Sequence, residues 1–261
     1  MQENQTDRDT LLDTFRSDLF NGKSIVVSGA TSGIGLAIAH GFARLGASVV
    51  ATGSSPEKIA RERLNPANQA IRFELLDARD GDGIKAFAAT FETLDVLVNA
   101  QGILCGEAEH TEEVFLDVID VNLNGVMRMS YAFREHLIRA KGSIINISSM
   151  LSYLVEPEIP AYAASKTGLL GLTRTLAHAY GPHGVRVNTI SPGYHKTDMT
   201  KVLWSVPKSH DLIAGHSALK RWGSTEDLVG AAIFYASPAA SFITATDLPV
   251  DGGYVVGNTV R

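Results

Sequence analysis

The chain has one cysteine, Cys105, in 261 residues, so no disulfide forms within it. Such sparing use of cysteine suits a reducing compartment, and a cytoplasmic location is the expectation. No run of about eighteen apolar residues occurs, so no membrane-crossing helix is expected. The first twenty residues, MQENQTDRDTLLDTFRSDLF, carry Glu3, Asp7, Asp9, Asp13 and Asp18. They lack the basic start and apolar stretch of a secretory signal. There is no Lys/Arg run and the net charge is −5, which argues against nucleic acid as a partner. The eight histidines contain no H-E-x-x-H, and His210 and His216 stand six apart, off a common helix face, so no metal site is expected. With 45% hydrophobic and 20% charged residues, disorder, collagen and coiled coil are excluded as well.

What is present is a rhythm. Short β-branched runs at 24–28, 48–52, 70–75, 95–98, 143–147, 185–190 and 247–250 alternate with amphipathic stretches at 34–45, 57–64, 83–92, 112–139, 162–180 and 225–236. Runs apolar on both faces belong to a buried parallel sheet. Their alternation with helices predicts a single-domain, doubly wound α/β sandwich of the Rossmann type with seven parallel strands. Two segments break the rhythm. Residues 1–21 read as an N-terminal arm preceding a domain over 22–261. Residues 194–224 read as a substrate lid, because a long insertion at the carboxyl end of a strand lies where ligands bind in open α/β sheets.

After the first run comes Ser28-Gly29-Ala30-Thr31-Ser32-Gly33-Ile34-Gly35, then a helix. Glycines there permit a tight turn and close approach to a pyrophosphate, which the free N–H groups of the helix start would bind. No G-K-[ST] follows, which excludes a nucleoside-triphosphate P-loop. An NAD enzyme usually places an acid near the end of the second strand to hold the adenosine ribose. Here that stretch is Gly53-Ser54-Ser55, with no acid and with Lys58 and Arg61 as the nearest cations. NAD(P)(H) is the expected cofactor, with NADP(H) slightly favoured.

Tyr162 and Lys166 are four apart in a strongly helical segment, so they share a face. An ammonium near a phenol lowers its pKa from about 10 and makes it a general acid/base for an alcohol–ketone pair. Ser149 emerges at the carboxyl end of the fifth run, where its hydroxyl can hold a substrate carbonyl, with Ser152 as its rival. No G-x-S-x-G elbow exists, so a serine hydrolase is not indicated.

Taken together these segments resemble the short-chain dehydrogenases/reductases over about residues 22 to 257. The resemblance rests on SGATSGIG at 28–35, Asp77, VNAQG at 98–102, Ser149 thirteen residues before Tyr162-x-x-x-Lys166, SPGYHKTDM at 191–199 and VDGGY at 250–254. It implies strand order 3-2-1-4-5-6-7, hydride transfer between nicotinamide C4 and a carbonyl carbon, and a homotetramer paired through 112–139 and 162–180. It implies catalytic roles for Ser149, Tyr162, Lys166 and Asn122, the last holding a water in a proton relay. Cofactor contacts would come from Gly29, Thr31, Ser32, Gly33, Ile34 and Gly35, then Ser54, Asp77 and Ala78. Asn99, Gly102, Lys166, Pro192, Gly193 and Thr197 complete the set.

The chain departs from that family in two places. Asn99-Ala100-Gln101-Gly102 replaces N-N-A-G, and His195 and Lys196 follow Tyr194 where an apolar residue is usual. Gln101 would therefore reshape the cofactor pocket or reach the substrate. Gln101, Glu156 and His195 join Ser149 and Tyr162 as candidate substrate contacts, and with Glu158 and Lys196 they suggest a polar, polyhydroxylated substrate. The alternative for both glutamates is that they face water. INISSMLS and ALKRWGSTEDL look like sugar and sugar-acid dehydrogenases, and nearly as much like 3-oxoacyl carrier-protein reductases. A non-catalytic dinucleotide sensor, or an epimerase or dehydratase using the cofactor transiently, are the readings from other classes.

Overall fold

The computed structural model describes residues 13–257. Seven strands form one parallel sheet: β1 Ser24–Ser28, β2 Ser48–Gly53, β3 Ile71–Leu75, β4 Val96–Asn99, β5 Ser143–Ile147, β6 Arg186–Pro192 and β7 Asp247–Val250. Their order is β3-β2-β1-β4-β5-β6-β7, as expected. β1 pairs with both β2 and β4, so the strand order reverses there. That reversal opens a crevice above the carboxyl ends of the strands.

Alternate residues of β1 feed two cores. Ile25 and Val27 pack with Ile38, Phe42 and Ile233 on one side. Val26 packs with Leu97, Met129, Phe133 and Ile144 on the other. Each such buried side chain contributes roughly 1.5–3 kcal/mol, which explains why the inner strands tolerate no polar alternation.

The helices are α1 Gly33–Arg44, α2 Pro56–Leu64, α3 Gly81–Ala88, α4 Glu112–Ile119, α5 Gly125–Ala132, α6 Arg134–Ala140, α7 Pro160–Tyr180, α8 Lys201–Trp204, α9 Pro207–His216 and α10 Val229–Ala236. Their starts follow local chemistry. Ser55, Asp80 and Thr111 cap α2, α3 and α4 with side-chain oxygens, and Pro160 opens α7 with its preset φ.

The structure corrects one expectation. The single helix expected over 112–139 is three, separated by a π-helical turn at Asp120–Asn124 and by Phe133. The π turn swings Asn122 inward to bond Ile103, and such bulges often mark functional positions. Of the expected arm, residues 1–12 lie outside the described residues, but its end is docked. Phe20 is buried edge-on against Phe42, with centroids 5.0 Å apart, and its N–H donates to the Leu45 carbonyl. The inserted segment 194–224 holds α8 and α9 above the sheet. No helix among the described residues is long and apolar enough to cross a membrane.

Candidate active site

Two adjoining cavities lie along the crevice. The first, about 310 Å³, runs from the glycine loop past the ends of β2 and β3 to the end of β4. The second, about 110 Å³, lies between the end of β5, α7 and the inserted segment 194–224. They share a seam walled by Ile34, Ala100, Gln101, Gly102, Thr197 and Met199.

Backbone geometry builds the first cavity. Gly29 has φ +72°, and a Cβ there would stand 2.5 Å from the Gln101 Cα. A Cβ on Gly35 would stand 2.4 Å from the Gly29 carbonyl oxygen. Only glycine allows this conformation and this approach. Ser32, extended at the start of α1, makes no side-chain cap bond, so the first-turn N–H groups are left for a ligand. Thr31, Ser32, Gly33, Ile34, Ser54, Asp77 and Ala78 line the wall, with Lys58 on the α2 side. Ser55 is committed to capping α2: its hydroxyl accepts from the Lys58 N–H and donates to Glu57. Arg79 also lines the cavity, unexpected from sequence, with its guanidinium forked onto Asp117 at 2.7 and 2.8 Å. A glycine cradle, an uncapped helix start and a cationic side chain beside it suit a dinucleotide phosphate.

The second cavity gathers Ser149, Tyr162 and Lys166 with Pro192, Gly193 and His195. Ser149 follows β5 and caps a short turn, accepting from the Leu151 N–H at 3.1 Å, and its hydroxyl stands beside the Tyr162 phenol. Its rival Ser152 is turned away onto Ser148 at 2.8 Å. Ser148 in turn donates to the Lys166 carbonyl. Lys166 is buried without a carboxylate partner: its Nζ donates to the Ile147 carbonyl at 2.8 Å, and burial depresses its pKa to about 8.

The expected lowering of the Tyr162 pKa by Lys166 is not what this geometry produces. The ammonium lies over the ring, 5.6 Å from its centroid, and not at the hydroxyl. Burial pushes the phenol up, the Ser149 hydrogen bond pulls it down, and the Glu109 charge raises it further.

Asn122 differs too. Its amide accepts from the Ile103 N–H at 2.8 Å and donates to the Ile103 carbonyl and to Ser165, so it staples the loop after β4 to α7 and lines neither cavity. Asn99 is likewise interior. It donates to Asn146, which donates to Thr173, which accepts from Thr189, at 2.9, 2.8 and 2.8 Å. This buried chain ties β4, β5 and β6 to the helix carrying Tyr162.

Sequence reasoning missed Glu109. Its carboxylate is buried and accepts from the backbone N–H of Tyr162 at 2.8 Å and of Cys105 at 3.0 Å, anchoring the start of α7. In the acidic run Glu107–Glu113 nothing marks it out. Of the candidate substrate contacts, Gln101 and His195 are cavity walls and Glu156 is not. Glu156 instead lies near Tyr194 and Tyr254: burial pushes both phenols up first, and the Glu156 charge raises them further, after Tyr254 in the case of Tyr194. His195 is buried against Gly223, where its ring fills the space a side chain would need, and burial lowers its pKa. Lys196 lines a separate depression beside His40 and Glu226.

The chain is similar to known proteins over most of its length. A family profile described as enoyl-(acyl carrier protein) reductase matches residues 29–255. Gluconate 5-dehydrogenase of Gluconobacter oxydans is 35% identical, covering 92% of this chain and 98% of its own. The 2-dehydro-3-deoxy-D-gluconate 5-dehydrogenase of Escherichia coli is 34% identical over 90% and 96%. The crystal structure of a gluconate 5-dehydrogenase from Burkholderia cenocepacia in complex with NADP and tartrate superposes with a TM-score of 0.85 at 32% identity, covering 95% of this chain and 99% of the other.

Proposed function

Because the chain belongs to the short-chain dehydrogenase/reductase family, we propose that it interconverts a secondary hydroxyl and a ketone on a sugar acid with NADP(H). The observation that carries this reading is the convergence of Ser149, Tyr162 and Lys166 on one cavity that opens through a common wall into the glycine-loop groove. A sensor that had given up chemistry would have no reason to keep that convergence.

The nicotinamide, when bound, supplies or accepts the hydride. The chain's own residues handle the oxygen. Ser149 donates a hydrogen bond to it, which its position beside the phenol permits. Tyr162 gives or takes the proton, and Ser149 keeps the phenol from rising as far as burial alone would push it. Lys166 places a cation beneath the ring at the cavity floor. Asn122 and Glu109 act through others, holding Ile103 and the start of α7 in place. The sugar-acid class is supported by the substrates named for two relatives, and NADP by its presence in the Burkholderia structure. The absence of an acid at Gly53–Ser55 and the nearby Lys58 fit a 2′-phosphate. The reading includes a homotetramer paired through residues 112–139 and 162–180, which the family resemblance implies and which exposed Leu116 on α4 and Tyr131 on α5 support. A cytoplasmic enzyme with ready access to the NADP(H) pool completes it.

A second reading, reduction of an acyl carrier-protein thioester, is favoured by the description of the matching family profile. One experiment separates them. Purified protein is offered gluconate, 2-dehydro-3-deoxygluconate, 5-ketogluconate and 3-oxoacyl and enoyl thioesters, each with NAD(H) and NADP(H), while the reduced-nicotinamide absorbance is followed. Turnover of an aldonic or keto-aldonic acid with NADP(H) is expected. Turnover of thioesters alone overturns the substrate class, and no turnover with any pair overturns the reading.

A further inference from the structure

We propose that the side-chain amide of Gln101 is a positioning residue for the nicotinamide-riboside half of the dinucleotide, hydrogen-bonding it at the seam between the two cavities. The proposal deepens the reading of the groove as an NADP(H) site and rests on it.

Gln101 is 7% exposed, and both its Oε1 and its Nε2 are buried without a hydrogen-bond partner. Among the described residues it is the one side chain that leaves two buried polar atoms unpaired. Folded proteins rarely keep such groups unless a ligand completes them.

Its place in the fold says which ligand group that is. The backbone of Gln101 is pressed against Gly29, the first glycine of the loop, and the residue lines both the groove and the catalytic cavity. Of the other seam residues, Ile34, Ala100, Gly102 and Met199 offer no polar side chain able to donate and accept together, and the Thr197 hydroxyl is engaged with Thr200 at 3.2 Å. The adenosine end of the groove, at Ser54, Asp77 and Ala78, lies on the far side of the glycine loop at the ends of β2 and β3. The reacting oxygen belongs beside Ser149 and Tyr162, against β5 and α7. What crosses the seam between them is the nicotinamide riboside, whose carboxamide and ribose hydroxyls each offer a donor and an acceptor. A primary amide with one free acceptor and two free donors matches that chemistry.

The test uses the full-length protein with Gln101→Met, which keeps the length of the side chain and removes its hydrogen bonds, and Gln101→Ala, which restores a small residue. Dissociation constants are measured by calorimetry for NADPH and for adenosine 2′,5′-bisphosphate, which lacks the nicotinamide riboside. We expect the NADPH constant to rise about tenfold in both variants while the bisphosphate constant stays within about twofold. The unliganded Gln101→Met protein should melt no lower than wild type, because it loses two unpaired groups. An unchanged NADPH constant overturns the proposal, and if the KM for the sugar acid rises instead, the amide serves the substrate. Equal losses for both ligands also overturn it and assign Gln101 to supporting the glycine loop. Failure of the underlying reading is distinct: wild type itself would then bind neither ligand.

Discussion

The two sides of the crevice hold their groups by different means. On the β1–β2–β3 side the ligand surface is backbone, set by positive φ at Gly29 and Gly33 and by the contact of Gly35 with the Gly29 carbonyl. On the β4–β5–β6 side it is side chain, set by buried hydrogen bonds running from Asn99 through Asn146 and Thr173 to Thr189, with Glu109, Asn122 and Ser148 bracing α7 and the loop before it. A phosphate needs N–H groups at short range, which bare backbone provides. Proton transfer needs a phenol, a hydroxyl and an ammonium held to fractions of an ångström, which takes a supported set of side chains. The first side should fail by steric exclusion, the second by loss of rate.

Tyr162→Phe is the sharpest way to separate them. It removes the proposed proton carrier and leaves the groove intact, so kcat should fall about 1,000-fold while the NADPH dissociation constant stays near wild type. Steady-state kinetics beside calorimetry checks both, and undiminished turnover would remove Tyr162 from its role.

Gly29→Ala attacks the other side. The new Cβ would meet the Gln101 backbone at 2.5 Å in a conformation unfavourable for alanine. NADPH affinity should drop about 100-fold, since several kcal/mol of strain must be relieved by moving the loop.

Asn146→Ala cuts the buried chain: Asn99 loses its 2.9 Å acceptor, and Thr173 keeps Thr189 but loses its other donor. Each buried group left unpaired costs about 1–3 kcal/mol, so thermal unfolding should shift down by roughly 3–10 °C. If the two sides are held independently, NADPH binding to the folded variant stays unchanged while kcat declines.

The smallest effect is one of pH. In the direction of alcohol oxidation Tyr162 must act as a base, so the rate rises with pH through its titration. Ser149 pulls the phenol down and Glu109 raises it. Ser149→Ala should therefore move the rising limb to higher pH, and Glu109→Gln to lower pH. Profiles of kcat against pH for the two variants that move the same way would break this account.

Most of the first side was legible residue by residue. A glycine-rich turn between a β-branched run and a helix has few conformations open to it, so Gly29–Gly35 could be placed before any coordinates. The Ser149, Tyr162, Lys166 set was also legible, because a four-residue spacing on a helix and a strand end are local facts. Its electrostatics were not. Burial pushes the Tyr162 phenol up, and the neighbouring cation stands over the ring, bonded to Ile147, a position no spacing reveals. Glu109 was hidden because a carboxylate in an acidic run looks solvated until the chain folds it under α7. Asn122 sits where the apolar period reads as continuous helix, and only packing shows the π turn that redirects it. Ser152 and Ser149 were separated only by which hydroxyl the fold turned toward Tyr162.

By itself the sequence determined the parallel sheet, the glycine turn and the grouping of Ser149, Tyr162 and Lys166, because periodicity, glycine conformation and helical spacing act over a few residues at a time. The tertiary structure alone decided which polar groups are satisfied. It gave Asn99 and Glu109 partners 47 and 53 residues away and left the two polar atoms of Gln101 without any. Hydrogen bonding in a buried site depends on what the rest of the chain brings to it, and the burial that makes an unpaired amide costly exists only after folding.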